Sequence, residues 1–169
     1  MVTTDPKIRN AGRQMPALPV KSFVLNRTDR KFLMIVLGTL LVIRLLAVFW
    51  LPFVDTTEAR YAEIARKMVE TGDWITPQFD YGVPFWGKPP LHTWLSALGM
   101  KIFGVGHFGG RVFILATALG VLGLIFAWVR QHRGADQALI VTTVLASSIM
   151  FFGASAFVMT DMVMVLCTT

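Results

Sequence analysis

The charged side chains that could take part in catalysis are concentrated in residues 54–90, a polar and aromatic stretch in an otherwise apolar chain. Two carboxylates, Asp55 and Glu58, lie at its start, and Arg60 follows them. Because a helix N-terminus favours anions, an arginine at this place predicts an anion site, to which a carboxylate can add a general base. The structural alternative is a capping box, in which Asp55 and Glu58 satisfy the first backbone amides of a helix.

A lysine near the end of the same stretch is a second candidate for binding an anion. Lys88 lies between Gly87 and the dipeptide Pro89-Pro90, which stiffens the backbone that follows. An ammonium group can bind a phosphate as a point charge, and it can equally be a cation that snorkels toward lipid headgroups. Aromatic residues of the stretch offer surface for a sugar or a lipid tail: Trp74, Phe79, Tyr81, Phe85 and Trp86.

Metal and cysteine chemistry are not indicated by the sequence. The histidines His92 and His107 are separated by an apolar segment, and His132 is expected on the opposite side of the membrane, so no pair has convincing zinc spacing. Cys167 is the only cysteine, which excludes an internal disulfide and a cysteine cluster. Asp161, much further along the chain, is a further candidate carboxylate, although aspartate is also common as a helix cap.

The elements that must position these residues are membrane helices. The chain is 54% hydrophobic and 15% charged, which is typical of a membrane protein. Three apolar segments, residues 32–53, 111–129 and 138–160, are predicted to span the bilayer. Arg44 in the first of them should face the bundle interior or snorkel toward an interface.

The distribution of basic residues predicts the orientation of these spans. Much of the net charge of +6 precedes the first span, so it indicates a cytoplasmic tail over residues 1–31 rather than a nucleic-acid partner. The connection at residues 130–137 is also basic, as expected for a cytoplasmic turn. The loop at residues 54–110 and Asp161 should therefore share the outer face of the membrane.

Two interfacial helices are predicted in the outer loop, at about residues 56–70 and 90–103. In the first, Tyr61, Ile64 and Met68 fall on one apolar face at helical spacing. The second is apolar but too short to span comfortably, and it carries an aromatic anchor, Trp94. The chain stops within an apolar run in residues 161–169, which we interpret as the start of the next segment of a longer protein.

The sequence also resembles a known family in three motifs. TEARYAEIARKM, TGDWITPQ and GVPFWGKPPLHTW together resemble the first outer loop of bacterial membrane glycosyltransferases of the GT-C class. The nearest relatives look like glycosyltransferase family 39 proteins and lipid A aminoarabinose transferases, with a likeness that runs from Val54 to Asp161. The resemblance implies an all-α, polytopic membrane protein with a GT-C helical bundle, of which this chain is the N-terminal part.

The resemblance implies an inverting transferase at the periplasmic face of the bacterial inner membrane. It would move a sugar from a polyprenyl-phosphate donor to lipid A or to another envelope glycan or protein. Arg60 and Lys88 match positions that contact the donor phosphate. Glu58 is retained from an acidic pair of the family and Asp161 matches an acidic position, so these two carboxylates and Asp55 are the candidate catalytic residues. Three further residues are candidates for contacting substrate: Tyr61, Trp86 and His92.

Two departures from the family pattern affect these expectations. Thr57 stands where the family has an aspartate, and we hypothesise that Asp55 supplies the missing carboxylate. Gly87 replaces a glutamate that aminoarabinose transferases associate with metal binding, so we assign no divalent metal. The alternatives are a protein O-mannosyltransferase-like enzyme with a polypeptide acceptor and a non-catalytic subunit that binds an anionic membrane lipid. The fragment alone should be inactive.

Overall fold

The computed structural model describes residues 24–169, so most of the predicted basic tail lies outside the described residues. This part of the chain forms seven helices and one short hairpin. The helices are α1 (Arg27–Trp50), α2 (Thr56–Thr71), α3 (Leu91–Phe103), α4 (His107–Arg133), α5 (Ala135–Ser147), α6 (Ile149–Ala154) and α7 (Thr160–Thr168). The antiparallel hairpin joins β1 (Gln78–Asp80) to β2 (Val83–Pro84), a feature that the sequence did not predict.

Two helices, α1 and α4, are long and apolar enough to cross a membrane. They have 24 and 27 residues, and α1 begins at Arg27, earlier than the predicted start of the first span. Arg30 on the first turn of α1 pairs with Asp136 on the first turn of α5 at 2.7 Å. Because α5 directly follows α4, this ion pair joins the beginning of α1 to the end of α4.

The expected third span at residues 138–160 is not one continuous helix. Helix α5 ends at Ser147, and Ser148 adopts an extended conformation before the six-residue α6 begins. The hydroxyl of Ser147 donates to the carbonyl of Val144, and that of Ser148 donates to Leu145. Such bonds compete with the helical ladder, which gives a physical reason for the interruption.

The helix α2 packs on α3 through the apolar face that its periodicity predicts. Ala65 and Met68 are buried against Ala97 and Met100. The helix ends at Gly72, whose φ of 72° is left-handed and favours glycine as a C-terminal cap. The opposite side of α2 remains accessible for ion pairs and for the hairpin.

Helix α3 lies unusually close to the start of α4. A Cβ atom on Gly99 would collide with the backbone carbonyl of Gly109, and one on Gly109 would collide with that of Gly104. These glycines permit backbone approach that any side chain would prevent. The contact fixes α3, and with it the α2 helix, against the end of α4 that is opposite to Asp136.

Candidate functional site

A buried ion pair joins α2 to α4. Glu58 and Arg111 have side chains that are 1% and 5% exposed, and Arg111 Nη2 lies 2.7 Å from Glu58 Oε2. Arg111 Nε donates to the other carboxylate oxygen, also at 2.7 Å. Its remaining donors bind the carbonyls of Leu51 and Pro52, at 2.5 and 3.1 Å. Sequence reasoning missed this bidentate pair, because its partners are 53 residues apart.

The same carboxylate also binds the backbone before α7. The amide of Val158 donates to Glu58 Oε1 at 3.3 Å. Val158 is completely buried and packs with Tyr61 and Ile64 of α2. The Glu58–Arg111 pair therefore joins the residues after α1, the beginning of α4 and the segment that leads into α7. Both oxygens of Glu58 are occupied by these contacts.

His92 is a second buried polar residue at this junction. It is 1% exposed, and its Nδ1 lies 3.0 Å from the carbonyl oxygen of Pro89 and 3.5 Å from the hydroxyl oxygen of Thr160. Its ring meets the ring of Tyr61 edge to face, with centroids 4.9 Å apart. His92 consequently contacts the loop that carries Lys88, the helix α2 and the start of α7.

Charges on two separate segments act on this histidine. Burial lowers the pKa of His92, the hydrogen bond to Pro89 raises it, the ammonium group of Lys88 lowers it and the carboxylate of Asp161 raises it. Lys88 and Asp161 are far apart in sequence, yet their chain neighbours Pro89 and Thr160 both contact this imidazole. The structure thus brings together two of the charged residues that the sequence singled out.

Lys88, Asp161 and Trp86 are exposed. Within residues 24–169, neither a hydrogen bond nor a salt bridge engages the side chain of Lys88 or that of Asp161. Asp161 lies in the first turn of α7, whose N-cap is Met159, so the alternative that Asp161 caps this helix is wrong. The carboxylate is accessible beside the helix start.

Arg60 is exposed on α2, next to the buried Tyr61. Its guanidinium carbon lies 5.9 Å from the centre of the Phe79 ring on the hairpin. In the described part of the chain it forms no salt bridge, whereas Arg66, two turns further along, binds Glu63 at 2.6 Å. Within residues 24–169, the hydrogen-bond donors of Arg60 therefore have no protein partner.

Asp55 is the N-cap of α2, as the sequence suggested. Its carboxylate accepts hydrogen bonds from the amides of Thr57 and Glu58, at 2.7 and 3.3 Å. These bonds lower the pKa of Asp55, although the side chain is exposed. In a full capping box, the side chain of Glu58 would also accept a hydrogen bond from the amide of Asp55. Here the Glu58 carboxylate binds Arg111 instead.

The position of Gly87 is covered by an aromatic ring. A Cβ atom at this glycine would lie 2.9 Å from Phe85 Cζ, so a larger residue requires the ring to move. Phe85 packs edge to face on Tyr61, with centroids 6.1 Å apart. Among residues 24–169 there is no group of three His, Cys, Asp or Glu side chains arranged to hold a metal ion.

Arg44 faces the other helices, one of the two placements expected for it. Its Nε donates to Ser155 Oγ at 2.9 Å, and its Nη2 donates to the carbonyl of Gly153. The guanidinium also lies 4.6 Å from the centre of the Phe152 ring. The arginine of the first span thus satisfies polar groups at the C-terminal end of α6.

These features define a membrane protein of the GT-C class, with a helical bundle and cations gathered on the loop at one of its ends. The family model described as dolichyl-phosphate-mannose-protein mannosyltransferase matches residues 30–169, and the chain belongs to this family. The buried junction and the exposed charges around it are therefore parts of a glycosyltransferase-type fold.

Curated relatives are similar to part of the chain. An undecaprenyl phosphate-alpha-4-amino-4-deoxy-L-arabinose arabinosyl transferase of Edwardsiella ictaluri is 34% identical over 113 residues, 66% of this chain and 20% of the relative. One from Pseudomonas savastanoi pv. phaseolicola is 42% identical over 74 residues, 43% of this chain and 13% of the relative. The chain thus spans about one fifth or less of the length of these relatives.

Solved structures of ArnT from Cupriavidus metallidurans are also similar to this chain, and one of them has undecaprenyl phosphate bound. The form bound to undecaprenyl phosphate matches with a TM-score of 0.71 and 28% identity, over 78% of this chain and 24% of the ArnT chain. The apo form of the same protein matches with a TM-score of 0.69 and 27% identity, over 80% of this chain and 25% of that chain. The arrangement of the matched part of this chain is therefore similar to that of the corresponding part of ArnT.

Proposed function

We propose that the chain is the N-terminal part of a membrane glycosyltransferase that takes a sugar from a polyprenyl-phosphate donor and transfers it to lipid A. The observation that carries this proposal is that Pro89 and Thr160, the chain neighbours of the exposed Lys88 and Asp161, both contact the imidazole of His92. Family membership and the likeness to a structure bound to undecaprenyl phosphate support it. Other glycans of the cell envelope are acceptors of the same chemical kind.

Lys88 and Arg60 are the residues that we assign to binding the donor phosphate. Breaking the bond between sugar and phosphate leaves negative charge on the phosphate, which nearby cations stabilise in the transition state. Both side chains are exposed and have no salt bridge within the described residues. Trp86, which is 72% exposed, offers an aromatic surface to the sugar or the lipid tail.

Asp161 is the carboxylate that we assign to orienting the acceptor oxygen. In a single displacement with inversion, an acceptor oxygen attacks the sugar carbon as the phosphate leaves, and a carboxylate can orient that oxygen or remove its proton. Asp161 is accessible, whereas Glu58 is engaged by Arg111 and Val158. A lipid A phosphate is already ionised, so with that acceptor Asp161 would orient rather than deprotonate.

We place the reaction at the periplasmic face of the bacterial inner membrane. The start of α1 and the end of α4 lie at one end of the bundle and carry Arg30, Arg130 and Arg133, while the site lies at the other end. Because cytoplasmic loops are enriched in Lys and Arg, the basic end is assigned to the cytoplasm. The donor lipid and the acceptor would then meet α2 and α3 in the outer leaflet.

The test is mass spectrometry of lipid A from cells that carry the complete protein, Lys88→Ala, Lys101→Ala or no copy. Lys101 is the matched control, because it is an exposed lysine of α3 whose ammonium group contacts Trp74 instead of the site. We expect a pentose- or hexose-sized addition with wild type and Lys101→Ala only. Unchanged lipid A in all strains, with each protein present in the membrane, would overturn lipid A as the acceptor.

A polypeptide acceptor is the second candidate, because the matching family model describes protein mannosyltransferases. The same four strains distinguish it, since envelope proteins would then carry a hexose that depends on Lys88. Glycopeptide mass spectrometry of the membrane fraction detects this modification. A protein that alters neither lipid A nor polypeptides, yet binds polyprenyl phosphate, would be the non-catalytic lipid-binding subunit.

A further inference from the structure

The imidazole of His92 has distinct contacts on its two nitrogens. Nδ1 lies 3.0 Å from the carbonyl oxygen of Pro89, which can only accept a hydrogen bond, so Nδ1 carries the proton. Nε2 lies 3.3 Å from the hydroxyl oxygen of Thr93, which can donate to it. The neutral form with a proton on Nδ1 satisfies both contacts, and the lowered pKa favours a neutral ring.

The contacts of Nδ1 connect two segments that each carry a charged site residue. Pro89 directly follows Lys88, and Thr160, whose hydroxyl oxygen lies 3.5 Å from Nδ1, directly precedes Asp161. The ring cannot move far, because it is almost completely buried and lies edge to face against Tyr61. Through one proton, the histidine therefore links the Lys88 loop to the start of α7.

We infer that His92 is a positioning residue, whose Nδ1–H holds the backbone of Pro89 beside Thr160 and so sets the separation of Lys88 from Asp161. The inference deepens the proposed function, on which its catalytic consequence rests. His92 is not expected to contact the donor or the acceptor, since its ring is enclosed by protein. This reverses the sequence expectation that it binds substrate.

Three substitutions in the complete protein separate the possible roles of the ring. His92→Asn keeps an N–H group close to the place of Nδ1, His92→Gln moves the amide toward the place of Nε2, and His92→Leu keeps only apolar volume. His107→Leu is the matched control, because His107 packs against Phe53 at the same end of the bundle, with centroids 5.0 Å apart. Transfer kinetics are measured with a purified polyprenyl-phosphate sugar donor and lipid A.

We expect His92→Asn and His107→Leu to keep kcat/KM within about threefold of wild type. His92→Gln and His92→Leu should lose roughly 10- to 100-fold, because displacing a binding group by about 1 Å can cost this much. Activity of His92→Gln above that of His92→Asn would overturn the inference in favour of Nε2. Activity of His92→Leu equal to or above that of His92→Asn would overturn it in favour of simple packing.

A distance measurement tests the inference without requiring any activity. Spin labels are attached at Trp86→Cys, beside the Lys88 loop, and at Met164→Cys on α7, in a protein whose other cysteines are replaced. Both positions are exposed in the structure. We expect one narrow distance distribution in wild type and His92→Asn, and a broader or shifted one in His92→Leu.

The two readouts separate a failure of the inference from a failure of the proposed function. If no sugar is transferred but the distances change as expected, His92 positions the segments and the proposed reaction is wrong. If sugar is transferred and the distribution in His92→Leu equals that in wild type, the positioning role is wrong. Melting temperatures in detergent exclude variants that are merely unfolded.

Discussion

Two sets of charged residues at the same end of the bundle differ in burial, in hydrogen bonding and in ion pairing. The Glu58–Arg111 pair is buried, bidentate and bonded to three backbone groups. Lys88, Arg60 and Asp161 are exposed and have no salt bridge among the described residues. The comparison shows that charge alone does not distinguish a structural residue from a candidate site residue. One set of charges here is engaged by protein groups and the other is accessible.

The physical reason for the difference is the cost of removing a charge from water. An unpaired charge in a protein interior is strongly unfavourable, so Glu58 and Arg111 must remain together. Exposed charges are hydrated and tolerate the absence of a partner. A phosphate can replace that hydration when it binds, which makes the exposed group suitable for a ligand that comes and goes.

The largest expected effect comes from separating the buried pair. Glu58→Ala or Arg111→Ala leaves one buried charge without its partner and should destabilise the protein by about 3–5 kcal/mol. Arg66→Ala, which removes an exposed partner of Glu63, should cost only about 0–1 kcal/mol. Denaturation of the complete protein in detergent measures both. A stable but inactive Glu58→Ala protein would instead make Glu58 a catalytic carboxylate.

The next effect concerns Arg60 and should appear in binding rather than in stability. Arg60→Ala removes a cation from the proposed donor site, and losing a charge-assisted hydrogen bond should raise KM for the donor by roughly 10- to 100-fold. The melting temperature should stay near that of wild type, because the side chain is exposed. Arg66→Ala on the same helix is the control. Unchanged KM together with a large loss of stability would place Arg60 with the architectural charges.

A smaller effect is expected from acidification, through His92. Its pKa is lowered from the ordinary value of 6.5, mainly by burial, so the folded state binds a proton less readily than the unfolded state. Stability from this group is therefore fully present above the unfolded pKa and is lost as the pH falls through the folded pKa. Melting temperatures between pH 7.5 and 5 should fall more steeply for wild type than for His92→Asn. Equal slopes would show that the histidine does not titrate in this interval.

The smallest effect is expected at Asp55. Its side chain is exposed, as in the accessible set of charges, yet it accepts hydrogen bonds from backbone amides of α2, as a structural charge does. Asp55→Asn keeps a good N-cap, so stability and activity should remain close to wild type, while Asp55→Ala should lower the melting temperature slightly. Assays of both variants in the complete protein measure this. A stable Asp55→Asn protein without activity would show that Asp55 supplies the carboxylate that Thr57 does not.

The sequence predicts local features of this fold better than distant contacts. The apolar periodicity around Tyr61 and Met68 and the cap at Asp55 locate α2, because both signals lie within one helix. The pairing of Glu58 with Arg111 links distant parts of the chain, and a single sequence contains no periodic signal for such a contact. In the sequence, Arg111 marks only the predicted start of the second span.

The interrupted third span shows a different limit. Hydropathy over residues 138–160 is uniform and says nothing about breaks, although Ser147-Ser148 was a local sign of one. At the site, residue types indicated Lys88, Arg60 and Asp161 as candidates. The role of His92 in joining their segments depends on Thr160, whose proximity only the folded chain shows.

The non-helical break between α6, which ends at Ala154, and α7, which begins at Thr160, has a consequence for folding during synthesis. Its polar groups are satisfied by Arg44, which binds the carbonyl of Gly153 and the hydroxyl of Ser155, and by Glu58, which binds the amide of Val158. Both partners precede the break in the chain, so a ribosome has already delivered them when residues 153–158 emerge. This part of the bundle can therefore mature during biosynthesis, in the direction of translation, without waiting for residues that follow it.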